Sequence, residues 1–216
     1  MQILPPELLQ TTQAKSKDKY DRLEFLPNKL ESGSSETFRL LGTYESGHIR
    51  APWRCPVEVP DDNGELRFGG YRYSNDEEGF PNAARLVNWS SPEREKIDGQ
   101  FTKPKRALCA LGYSYERDRI EVMIIEQRKL KDDFAEFLAD EDYCFDEDGL
   151  AEFVIKISKQ GAGIDTSYSS LPKPRKVEDE VKAAFMQIKE TAKMDLLLQN
   201  QNPLEAIEAM PATMAF

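Results

Sequence analysis

Arg119-Ile-Glu-Val-Met-Ile-Ile125, then an acidic stretch opening at Leu130-Lys-Asp-Asp-Phe134, then Phe153-Val-Ile-Lys-Ile157 and Gly161-Ala-Gly-Ile-Asp-Thr-Ser-Tyr168: this run decides the fold. Ile120, Val122 and Ile124 alternate with Glu121, Met123 and Ile125, the period of a strand with two different faces. Leu130, Phe134, Phe137 and Leu138 recur at the spacing of one helix face, which predicts an amphipathic helix over Leu130–Asp140 with its acidic side outward. Phe153, Ile155 and Ile157 then alternate with Val154, Lys156 and Ser158, a second strand. Gly161 and Gly163 predict a turn that carries the chain on to Tyr168 and Leu171-Pro-Lys-Pro174. They are not a phosphate loop, because no Lys-Ser/Thr follows.

Upstream, Thr37-Phe-Arg-Leu-Leu-Gly-Thr-Tyr44 reads as a strand. Pro52, Pro56 and Pro60 predict a loop or sheet edge. Asp61-Asp-Asn-Gly64 is a turn, and Leu66-Arg-Phe-Gly-Gly-Tyr-Arg-Tyr73 a further strand. Lys103 to Tyr115 starts basic, turns apolar and ends aromatic, with a hairpin turn at Glu116-Arg-Asp-Arg119. Downstream, Val181, Phe185, Ile188 and Ala192 form one stripe of a helix starting near Val177, with Glu178-Asp179-Glu180 in its first turn, where negative charge suits the helix dipole. Pro203 separates a short second helix. These signals divide the chain into an N-terminal arm (1–30), a folded domain (31–176) and a C-terminal helical segment and tail (177–216). The expected class is mainly β with helices (α+β): an OB-type five-stranded β-barrel with an interposed helix and C-terminal helices. Strand and helix do not alternate, which excludes a parallel α/β sheet.

A net charge of −10 at first argues against an anionic partner, but its distribution does not. Ten carboxylates and one lysine between Lys131 and Glu152 carry −9, and without them the chain's −10 shrinks to −1. Phe153 to Lys176 is net +4. A phosphate-binding face needs local positive potential, not a basic whole. Three scattered cysteines, Cys55, Cys109 and Cys144, read as free thiols of a reducing compartment. The lone His48 with Cys55 makes a poor half-site for zinc, since no Cys-x-x-Cys pair completes four ligands, and no metal or other cofactor is expected. Nothing supports His48 as a catalytic base, so the chain reads as a non-enzyme. Met1-Gln-Ile-Leu-Pro-Pro has neither the basic start of a signal peptide nor the length of a membrane span; the expectation is a cytoplasmic protein with no membrane partner.

The chemistry-bearing pattern is cations interleaved with aromatics: Arg39 with Tyr44; Arg50 with Trp53 and Arg54; Arg67 with Tyr71, Arg72 and Tyr73; Lys103, Lys105 and Arg106 before Tyr115; Lys156 and Lys159 before Tyr168. Binding of unpaired nucleic acid without sequence preference needs cations along the backbone and aromatic faces under the bases. Tyr113, Phe68 and Phe101 are assigned instead to the core.

At Phe38-Arg39-Leu40-Leu41-Gly42, Tyr71-Arg72-Tyr73, and the strand, helix, strand and Gly-x-Gly-x-Asp-Thr-x-Tyr turn between Arg119 and Tyr168, the chain resembles the OB-fold single-stranded DNA-binding proteins of tailed phages, relatives of the T-even helix-destabilising protein. The resemblance spans roughly residues 37 to 174. It implies coating of single-stranded DNA in replication, recombination and repair, in a host cell's cytoplasm if the chain is phage-encoded. Arg39, Tyr71, Tyr73, Lys156 and Tyr168 are its candidate contacts. A polymerase or helicase, and further copies of the chain, are candidate partners beside the DNA. The chain departs from the T-even protein in three ways: the Cys/His zinc subsite is missing, acids dilute the basic arm, and the long acidic tail is absent. Zinc dependence, cooperativity and tail-mediated recruitment therefore do not carry over. The alternative from another class is an acidic interaction protein that docks a basic partner through Leu130–Glu152, with Asp132, Asp133, Glu136 and Asp140, and the helix from Val177. A nuclease comes third.

Overall fold

The computed structural model describes residues 23–88, 92 and 95–205. Its first half expands the region around the prolines into strands. β1 is Glu24–Phe25, β2 Ser35–Leu41, β3 Ile49–Arg50, β4 Trp53–Pro60, β5 Leu66–Ser74, β6 Arg85–Val87, β7 Lys96–Phe101, β8 Lys105–Arg106, β9 Leu108–Ser114 and β10 Arg119–Ile125. Helix α1 (Arg128–Ala139) follows, then β11 (Phe153–Gln160), β12 (Ser167–Pro174), helix α2 (Asp179–Ile188) and a 3-10 turn at Met194–Gln199. The fold is mixed α+β and mostly strands. No helix among the described residues is long and apolar enough to cross a membrane.

The main sheet runs β1-β10-β9-β2-β11-β12, with β3 also on β9. Every ladder is antiparallel except the short parallel pair β1–β10. β2, β9 and β10 are consecutive neighbours in this sheet, and β11 returns beside β2, which is the spatial order of a Greek key. The sheet is open among the described residues: β1 occupies the outer edge of β10, and β12 has no strand on its far side. Pro172 and Pro174 suit that edge, since proline is tolerated where no ladder partner needs an N–H. β5-β4-β8 and β6-β7 form two smaller sheets, both within the long connection from β2 to β9.

The period-2 reading of β10 is borne out by two cores, one on each side of the sheet. Ile120, Val122 and Ile124 join Leu41, Cys109 and Leu111 under Val181, Phe185, Ile188 and Leu197 of the C-terminal segment. Met123 and Ile125 join Phe38, Leu40, Phe153, Ile155 and Ile157 under Leu130 and Phe134 of α1. The C-terminal helix thus lies on the sheet. Residues 24–30, expected in the arm, belong to the folded body as well: Phe25 is buried with its ring 4.3 Å from Phe38. The rest of that arm (residues 1–22), and most of any helix after Pro203, lie outside the described residues.

The loop expected at Pro52 to Pro60 is instead β4, the central strand of its sheet. A β-bulge accommodates it: Pro56 pairs with Tyr71 and Glu58 with Phe68, so Gly69 and Gly70 stand opposite the single residue Val57. Gly70 sits at φ +90°, where only glycine is unstrained.

His48 fastens the C-terminal segment to the sheet. It is fully buried, and its Nε2 lies 2.8 Å from the Lys189 carbonyl, so that nitrogen carries the hydrogen. Nδ1 lies 2.8 Å from Ser46 Oγ, and the ring packs edge-on against Phe185. Gly42, at φ +77°, runs so close beneath the ring that any Cβ would collide with it. Burial lowers the pKa of His48, with the Lys189 carbonyl bond opposing. The folded chain therefore binds that proton less readily than the unfolded one, so stability is lost as pH falls through the ordinary value of 6.5. Urea unfolding between pH 8 and pH 5 should show this, and His48→Gln should flatten the decline in that window. Glu36, which burial raises, acts in the opposite sense near 4.5 but is common to both chains. A wild-type-minus-variant difference that does not change with pH would overturn the assignment.

Candidate nucleic-acid interface

The three strands β5-β4-β8 collect eight of the expected site residues. Register places Arg54 opposite Tyr73 on one side and Lys105 on the other, and Trp53 opposite Arg106. Arg54 organises the group from within. Its guanidinium lies 3.4 Å over the Tyr71 ring, Nε donates to Tyr73 Oη at 3.2 Å, and Nη1 donates to Glu126 Oε1 at 2.5 Å. Burial works against its charge, but Tyr73 and Glu126 outweigh it, so its pKa is raised. Burial likewise pushes the Tyr73 phenol up. Arg54 is thus a positioning residue, 4% exposed and unable to reach a strand, while Tyr71 keeps 39% of its surface open.

Lys105, opposite Arg54, shares the face of this stack, whereas Trp53 and Arg106 alternate onto the other face of the sheet. Lys103, Lys105 and Arg106 are exposed, and Arg106 lies 5.1 Å over the Trp53 ring. Lys131, from the first turn of α1, donates to the Arg106 carbonyl at 2.7 Å. Burial lowers the Lys131 pKa, and the nearby Arg106 and Lys105 push the same way against Asp132 and Glu126. Phe68 lies edge-on to Tyr71 at 5.7 Å and is 65% exposed. Phe68 and Phe101, assigned to the core from sequence, are both on the surface. The bulge at Gly69-Gly70 is the reason for Phe68: one extra residue turns every side chain beyond it to the other face. Tyr113 does pack against the core, and its hydroxyl donates to Asp118.

Other expected contacts are structural. Arg39 is completely buried, with Nε donating to Tyr115 Oη at 3.0 Å, Nη1 to the carbonyls of Ala151 and Arg175, and Nη2 to the Lys176 carbonyl and Glu178 Oε2. No donor is left for a phosphate. Tyr115 donates to Glu178 at 2.8 Å and lies under the Arg175 guanidinium, 3.9 Å away. Arg50 grips Asp195 with two bonds of 2.8 Å and covers Tyr44, which is itself exposed. Lys159 Nζ donates to the carbonyls of Asn28 and Leu30. Arg67 is exposed at the hairpin tip but paired with Asp61 and Glu65. Lys156 is exposed and Tyr168 half-buried on the β11–β12 hairpin, which belongs to the main sheet and not to the β4 sheet. Arg72 is half-buried on β5.

Sequence reasoning missed Phe68, Lys131 and Glu126, and also Ile164, whose side chain stands fully exposed at the tip of the Gly161–Thr166 turn. Only the Gly-Gly pair signalled the first of these.

No family model matches this chain, nor does any curated protein or solved structure.

The division between buried and surface cations has a direct check. Arg39→Met leaves the Ala151, Arg175 and Lys176 carbonyls without their donor and should cost about 3–5 kcal/mol of stability in urea unfolding. Arg106→Ala, at an exposed position, should stay within about 0.5 kcal/mol. Equal losses would contradict the division.

Proposed function

We propose that this chain is a non-enzymatic binder of single-stranded DNA, built on an OB-type barrel. The barrel reading is supported by strand order. Such folds are partly open five-stranded Greek-key barrels that bind oligonucleotides on the strand 2–3 face and the loops after strands 1 and 4. β2, β9, β10, β11 and β12 fill the five positions, α1 lies between the third and fourth, and β1 occupies the edge that a closing ladder would use. The loop after strand 1 is then the long excursion from Gly42 to Ala107, and the loop after strand 4 is the turn bearing Ile164.

The observation that carries the function is the gathering of Tyr71 and Phe68 with Lys105 on one face of the β4 sheet, with Trp53 and Arg106 stacked on its other face and Lys131 bonded to the Arg106 carbonyl. The outer face of β9 and β10 is covered by α2 and the C-terminal turn, which moves the proposed groove onto the β4 sheet. Cations there draw the phosphates, and release of condensed counterions supplies salt-sensitive affinity. Tyr71, held flat under Arg54, offers a stacking platform whose orientation is set before the strand arrives. Coating of single strands in replication, recombination and repair is the role this mechanism suits.

Fluorescence anisotropy with a labelled oligo-dT of about 30 nucleotides, longer than the 4–16 an OB fold covers, tests the reading against the matching duplex. Binding should favour the single strand and weaken steeply with salt. Tyr71→Ala should cost about 1–3 kcal/mol of affinity. Lys103→Ala with Lys105→Ala should flatten the log–log salt slope by about 1–2. Equal affinity for the duplex, or affinity that ignores salt, would overturn the proposal. Retained binding when Asp132, Asp133, Glu136 and Asp140 are replaced would separate it from the acidic-docking alternative.

A further inference from the structure

We infer that the seam between β5 and the C-terminal turn is a seat for one unpaired base, and that it favours cytosine and adenine, which carry an amino group at C4 and C6, over thymine, which carries a carbonyl there. This inference rests on the single-strand reading above and adds to it a component of base selectivity.

The seam is a crevice of about 290 Å3. Ligand clefts run upward from roughly 300 Å3, so it holds one ring system and not a length of backbone. Tyr71 and Tyr73 wall one side, and Leu197 with the polar rim of Gln201 and Glu205 the other. Tyr71 thus faces the crevice with a ring already fixed by Arg54, 3.4 Å away. The opposite wall is fixed too. Arg50 holds Asp195 at 2.8 Å, the Met194 N–H donates to the Gly47 carbonyl at 2.8 Å, and the Gln201 N–H donates to the Leu196 carbonyl at 3.0 Å. β5 therefore contributes aromatic rings, and the C-terminal segment polar side chains, to one crevice.

Charge selects what enters. Two carboxylates, Glu24 and Glu205, border the crevice against one guanidinium, Arg72. That balance repels a phosphate and admits a neutral base, leaving the backbone to the lysines of the neighbouring surface. A carboxylate only accepts hydrogen bonds. Cytosine N4 and adenine N6 each present an amino donor, whereas thymine presents O4 in the corresponding place. The Gln201 carboxamide supplies a donor and an acceptor together, the pairing suited to a base edge with both.

The test compares labelled oligo-dC and oligo-dT, each about 30 nucleotides, on the full chain at pH 7.5, across salt. One good base contact discriminates by about 1–3 kcal/mol, so oligo-dC should bind at least roughly fivefold tighter. Gln201→Ala with Glu205→Ala, both at exposed positions, should erase that preference and leave oligo-dT affinity within about twofold. Tight, salt-sensitive and equal binding of the two oligomers by the wild type would overturn the base seat while leaving single-strand binding intact. A preference that survives the double variant would overturn it as well. Failure to bind either oligomer would remove the single-strand reading and this inference together.

Discussion

The buried guanidinium of Arg39 is the constraint around which the rest is arranged. A charge taken out of water has to be met by acceptors on all sides. Arg39 finds them in the carbonyls of Ala151, Arg175 and Lys176, in Tyr115 and in Glu178. Those acceptors come from the turn after β9, the approach to β11, the exit of β12 and the entry to α2. One side chain thus sets where β11 enters and where the C-terminal segment turns back. Once α2 is aimed, Val181 and Phe185 descend onto β10, and the outer face of β9 and β10 is closed. The cationic–aromatic surface then lies on the β4 sheet, because the flat face next to it is already occupied.

The acidic segment has a related role. Asp148 pairs with Lys182 at 2.5 Å and approaches Lys189 at 3.7 Å, which draws the loop after α1 toward α2. Asp133 takes a hydrogen bond from Ser170 at 2.6 Å, which holds α1 along β12. Negative charge that looks, in composition, like a solubilising surface is partly spent on attaching both helices to the sheet. The remaining carboxylates of α1 face water, on a different element from the lysines of β8 and its approach.

Where side chains repeat regularly, the sequence was legible. Leu130 and Phe134 gave a helix, Ile120 to Ile125 a two-faced strand, and Val181, Phe185 and Ile188 a helix with one buried stripe, because each pattern holds its period without interruption. Legibility ended where the period broke. Pro56 and Pro60 spoke for a loop, yet a bulge opposite Val57 let the strand continue, and the same bulge turned Phe68 from an expected core residue into a surface aromatic. The candidate site was legible as a class of residues and only partly as a place. Arg54, Tyr71, Lys105 and Arg106 meet because of pairings between strands far apart in sequence. Arg39 and Lys159 have the same composition signal as a phosphate contact, but carbonyl groups contributed by distant segments consume their donors. No local pattern encodes those partners.

Glu24 and Glu205 border the same crevice, so the described body begins and ends in one place. Topologically the fold is a nearly closed circle. A chain rewired to run from Glu205 through a short linker into Leu23, and cut open at the exposed Ile164 turn, would keep every strand pairing and both cores.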